Sequence, residues 1–145
     1  IPVEVATGQH SEWRLEVLNG DRLDLFSAYR LGGYTGQYPL AGYFRNEFRA
    51  QRAAVLRFQH EVAFAEDRKL TLIADAAWLQ RIRLPTLEGT PERSSLLGLG
   101  IGYFYGMRAL GGLPVIVRYG EGLRVPEPSR EPHRREFLLV LAAGF

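Results

Sequence analysis

The sequence has no cysteine and only one lysine, Lys69. Without cysteine there are no disulfides and no thiolate metal sites. Of 18 basic residues, 17 are arginine, set against 16 acids, for a formal net charge of +2. So slight an excess lacks the clustered basic stripe of a nucleic-acid groove, and no nucleic-acid partner is expected. No run approaches the ~18 apolar residues of a transmembrane helix. That excludes a helical membrane protein but not a membrane β-barrel, whose spans are only half apolar. The sequence opens on Ile1, not on Met, and the expectation is a mature protein or a piece of a longer one. The 145 residues suit one domain spanning 1–145, or the C-terminal part of one.

Chemical signatures are scarce as well. His10, His60 and His133 are too widely spaced for a metal set. Ser11, Ser27, Ser94, Ser95 and Ser129 all lack the G-x-S-x-G setting of a hydrolase nucleophile. Glycines at 98, 100 and 102 alternate with apolar residues and lead into no helix, unlike a phosphate-binding loop. The expectation is a chain that is not itself an enzyme and that holds no metal or cofactor.

What the sequence does have is alternation with a period of two, the mark of β-strands. It runs through Glu12–Val17, Leu23–Tyr29, Ala54–Phe64, Leu70–Trp78, Leu97–Tyr105, Val115–Tyr119 and Phe137–Phe145. That predicts seven strands, with Pro2–Thr7 a candidate eighth. Turn signals fall at Asn19-Gly20, Ala65–Arg68 and Ala109–Gly112. Longer loops are expected at Arg83–Ser94 and Val125–Arg135, and above all at Leu31–Gln51, rich in Gly, Tyr and Arg. Glu47–Val55 has the pattern of at most a helical turn or two before alternation resumes.

Several strands are long enough to cross a bilayer at a tilt. The environment then depends on which face points outward. A soluble lipocalin-like ligand-binding barrel turns its large apolar side chains inward; a membrane barrel turns them to lipid and keeps small and polar groups inside. Two features favour the membrane. The face carrying Gly98, Gly100 and Gly102 bears no charge, and the run from Phe137 to Phe145 has no polar side chain. In a soluble edge strand such a run is an aggregation hazard. On this reading Arg57, Gln59, Glu61, Asp75 and Arg118 line the lumen. Trp13, Trp78, Tyr103, Tyr105, Tyr119 and Phe145 supply interfacial aromatics.

The unit Leu31-Gly32-Gly33, a short spacer, then Leu40-Ala41-Gly42-Tyr43 resembles the C-terminal barrel of the BamA/TamA-type outer-membrane superfamily, the bacterial surface antigens. The order of pieces over residues 20–145 is similar, and is most like the barrels attached to patatin-like lipolytic members. The resemblance implies an antiparallel transmembrane β-barrel in the bacterial outer membrane, serving protein insertion, translocation or the anchoring of an upstream domain. Family barrels usually have sixteen strands, so seven or eight here imply the C-terminal half of one, or a smaller barrel closed alone or with a second copy. Partners implied are outer-membrane lipids, the outer-membrane assembly machinery, and further strands from the same longer chain or a copy. A lipolytic domain upstream of Ile1 would follow from the patatin-like likeness. Phe137, Leu139, Leu141 and Phe145 resemble the terminal signal that the assembly machinery reads.

The resemblance also implies that Leu31–Gln51 folds back into the lumen with Leu40, Ala41, Gly42 and Tyr43 at its tip. Assembly members carry an arginine where this chain has Ala41. Arg45 or Arg49 is the expected replacement, facing Glu61 or Asp75.

Overall fold

The computed structural model describes residues 8–20, 23, 27–81, 92–107, 113–124 and 134–141. Within them the alternating segments form seven strands: β1 (Gly8–Asn19), β2 (Tyr29–Leu31), β3 (Phe48–Ala65), β4 (Arg68–Arg81), β5 (Glu92–Met107), β6 (Leu113–Arg124) and β7 (Arg134–Leu141). They make one antiparallel sheet in the order β1-β3-β4-β5-β6-β7, with β2 also on β3. No helix of the described residues is long and apolar enough to cross a membrane, which says nothing of crossing by strands.

The sheet is open. β1 and β7 are its two edges, so the described residues form an antiparallel wall and do not close into a barrel by themselves. Consecutive strands from β3 to β7 are neighbours, as in a meander. The β3–β4 hairpin turns through Glu66-Asp67, and Gly106 on β5 donates its N–H to Asp67 O at 2.8 Å.

Near the N-terminus the strand expectation needs correction. β1 pairs not with the next strand but with β3, from Gly8↔Ala63 to Asn19↔Arg52. The Asn19-Gly20 signal therefore does not join paired strands. Gly20 instead donates its N–H to Gln51 O at 2.9 Å, and β2 also lies on β3. There Tyr29–Leu31 pairs with Phe48–Ala50. Of the expected strand at Leu23–Tyr29 only this short piece is seen, and residues 24–26 lie outside the described set. So do Pro2–Thr7, Ala143 and Phe145. The helical alternative at Glu47–Val55 fails, because β3 begins at Phe48. The long loop is accordingly residues 32–47.

The two faces of the wall differ sharply. One carries the loop and most of the buried side chains, Leu31, Leu40, Tyr43, Val55, Ile73 and Leu79 among them. We call it the inner face. The outer face bares Trp13, Leu15, Leu72, Trp78, Leu99, Ile101, Phe137 and Leu139. Trp13 and Phe137 are each 67% exposed.

Candidate functional site

The inner face of β5 and β6 is a floor of glycine. Gly98 pairs with Gly122 and Gly100 with Gly120 across the two strands. Without Cβ atoms, backbone approaches backbone. A Cβ at Gly98 would strike the Ala41 carbonyl, one at Gly100 or Gly120 the Tyr34 hydroxyl, and one at Gly122 the Tyr43 ring. The loop tip lies on this floor. Leu40, Ala41 and Tyr43 are at most 1% exposed, with Gly42 buried between them. Gly42 has φ +81° and presses on the backbone of Glu121 and Gly122, so it needs both a left-handed conformation and a missing side chain.

Several polar anchors fix the tip. Asp75 on β4 is 1% exposed. Its carboxylate accepts Ala41 N–H at 2.7 Å and two guanidinium N–H groups of Arg57, also at 2.7 Å each. This corrects the expected pairing by Arg45 or Arg49. Arg57 is the direct ladder partner of Asp75 on the same face, so it reaches the carboxylate first. Arg45 is exposed beyond the tip, and Arg49 opens β3 opposite Arg30. Glu61, the other expected acid, accepts from Gln59 Nε2 at 2.9 Å, further down β3.

Tyr43 marks a second anchor. The β5–β6 ladder slips between Leu97↔Arg124 and Gly98↔Gly122, a β-bulge. The Tyr43 hydroxyl fills the gap, 2.9 Å from Leu97 O and 2.6 Å from Arg124 O, and accepts Leu97 N–H at 3.1 Å. Burial raises its phenol above the ordinary tyrosine range, against the opposing effect of its backbone hydrogen bonds.

Tyr34 is the third. Its hydroxyl donates to Tyr119 O at 2.6 Å, its N–H lies 3.1 Å from both Glu136 carboxylate oxygens, and the Arg118 guanidinium stands 5.5 Å from its ring centre. Burial, then the negative charge of Glu136, pushes its phenol up to about 12. At the loop base, Glu47 Oε2 accepts Phe44 N–H at 2.9 Å and Glu47 Oε1 lies 3.3 Å from Arg134 Nε. Phe44 itself is half exposed beneath the Arg134 guanidinium.

Among the expected lumen residues, Arg57, Gln59, Glu61, Asp75 and Arg118 do share the inner face. They divide into an Arg57–Asp75 pair at the tip, a Gln59–Glu61 pair, and Arg118 over Tyr34. Phe137, Leu139 and Leu141 point outward together. Sequence reasoning missed Glu136 and the glycine floor. Gly120 and Gly122 carry the floor's signal, because they repeat on β6 the small-residue alternation of β5. Among the described residues no group of three or more His, Asp or Glu side chains is placed to hold a metal ion.

The arrangement is a locked loop on a small-residue wall, with its large apolar surface turned the other way. No protein-family model, curated protein or solved structure matches this chain.

Proposed function

We propose that the chain is a membrane-spanning module of a bacterial outer-membrane β-barrel of the surface-antigen type, whose task is to insert, translocate or anchor polypeptide. One observation carries this reading, the inverted polarity of the two faces. Large apolar side chains are bare on the outer face, while the inner one carries glycine, the Arg57–Asp75 pair and a folded-in loop packed over buried Val55, Ile73 and Leu79. A soluble lipocalin-like barrel calls for the opposite arrangement.

The outward positions on β3 from Ala54 to Phe64 are apolar except for His60, which pairs with Ser11. At the strand rise that is ~33 Å of chain. Tilted as in a membrane barrel, it becomes ~25 Å of height, which matches the apolar band of such barrels. Bare edges at β1 and β7 suit completion of the ring by further strands of a longer chain or by a second copy. With the loop fixed across the inner face, anchoring of an upstream domain is favoured over an open conduit.

The test is solubility and heat-modifiable migration. The chain should require detergent or lipid, and its folded form should migrate differently from the boiled one on a semi-native gel. A monodisperse, folded chain in plain buffer sinks the membrane reading in favour of the soluble barrel. Little conductance is expected in planar bilayers; a stable large conductance shifts the reading from anchoring to translocation.

A further inference from the structure

The long connections, 20–28, 32–47, 82–91 and 125–133, all leave one end of the sheet, and the short ones at Glu66-Asp67 and 108–112 leave the other. In a membrane barrel the long-loop end faces outside the cell. At that end, four side chains form one cross-strand row on the outer face, beginning with Asn19 of β1, which pairs with Arg52. Arg52 pairs with Gln80, and Gln80 with Arg93. Directly below lies the row Ala54, Trp78 and Ser95, and below that Leu56, Ala76 and Leu97. The two upper rows line an open groove of about 580 Å³ that also takes in Val17 of β1.

The charge here is unbalanced. Both arginines are exposed, and no carboxylate is in the row. Glu121 and Arg135, further round the same face on β6 and β7, lie 3.9 Å apart and offset one another. Arg52 and Arg93 have no such counter-charge among the described residues.

We propose that this groove is a binding site for a lipid whose phosphate headgroup carries net negative charge, in the leaflet at the long-loop end. Arg52 and Arg93 hold the phosphate from either side of Gln80. The indole of Trp78 sits at the headgroup boundary, where amphipathic rings prefer to lie. An acyl chain descends past Val17, Leu56 and Leu97. Guanidinium groups are suited to phosphate because they present planar, paired donors. The proposal rests on the membrane reading above, and the following experiment separates the two.

The chain is inserted into phosphatidylcholine vesicles doped with brominated phosphatidylcholine or brominated phosphatidylglycerol, whose bromines quench nearby indoles. Trp13→Phe isolates Trp78, and Trp78→Phe isolates Trp13, the only other tryptophan. Trp13 should be quenched equally by both lipids. Trp78 should be quenched preferentially by the anionic one, by about fivefold for each arginine contributing. Arg52→Ala with Arg93→Ala should abolish the preference, while the double lysine variant should retain most of it. Free inorganic phosphate at the same concentration should not displace the lipid, and displacement would overturn the lipid assignment in favour of a plain anion site. If neither brominated lipid quenches Trp13, the membrane reading fails. A quenched Trp13 with no anionic preference at Trp78, or a preference untouched by the alanine pair, overturns the site alone.

Discussion

Ala41 donates its backbone N–H to the Asp75 carboxylate at 2.7 Å, across 34 residues of sequence. The loop tip is thus recognised through its main chain, and the cation that balances the acid comes from the neighbouring strand as Arg57. A small residue at 41 is what permits this, because its Cβ lies flat on Gly100.

Asp75→Ala should therefore unlock the loop. It strands Arg57, whose side chain is largely buried, and leaves Ala41 N–H without an acceptor. Breaking a buried pair from one side costs about 3–5 kcal/mol. Limited proteolysis should show cleavage within 32–47 in this variant. Asp67→Ala, at the β3–β4 turn, should leave the loop protected, and equal protection in both would mean that the aromatics hold it unaided.

The strand content was legible because alternation is a local signal. β3 to β6 coincide with alternating runs, merely extended at their ends, and β7 covers the described part of its run, up to Leu141. Pairing was less legible. Nothing local says that β1 skips β2 to join β3, since that choice depends on which distant edge offers matching register. The same holds for the site. Arg57, Asp75 and the tip motif were visible as residues. Which arginine meets Asp75 depended on a ladder register that spacing alone does not give. Glu136 escaped notice because it sits at the start of a strand otherwise read as apolar.

The glycine floor gives a graded series. Gly98→Ala drives a methyl into the Ala41 carbonyl, which is backbone and cannot step aside. Gly106→Ala meets nothing closer than 3.5 Å. Overpacking of this kind typically costs about 1–3 kcal/mol, whereas substitutions free of such clashes stay within about 0.5 kcal/mol. Urea midpoints of the two variants should separate accordingly. Equal midpoints would mean that the tip does not lie on the floor.

Tyr43→Phe isolates the bulge. It keeps the ring, which packs edge-on to Phe48 with centres 5.4 Å apart. It removes the oxygen that Leu97 N–H donates to, at a ladder position that the register shift leaves open. An unsatisfied buried donor costs about 1–3 kcal/mol. Amide hydrogen exchange at Leu97 should accelerate in this variant, while Gly100, two rungs beyond the slip, should keep its protection. Unchanged exchange at Leu97 would show that the hydroxyl is dispensable there.

Tyr34 makes stability depend on pH at the alkaline end. Its phenol is raised from 10.0 to about 12, first by burial and then by the Glu136 charge. In the unfolded chain the same group ionises near its ordinary value of about 10. Below that value both states keep the proton, so the contribution of Tyr34 is fully present. Between about 10 and about 12 the unfolded state loses its proton first, and stability falls with each rise in pH until the folded phenol also ionises. The hydrogen bond to Tyr119 O, which needs the phenolic proton, persists through this interval and is lost only as the folded phenol itself ionises. A tyrosinate absorbance titration of the folded chain, with Tyr34→Phe as reference, should show one phenol titrating late. Denaturation midpoints should fall more steeply above pH 10 in the parent than in Tyr34→Phe. Parallel curves for the two proteins would remove Tyr34 as the group responsible.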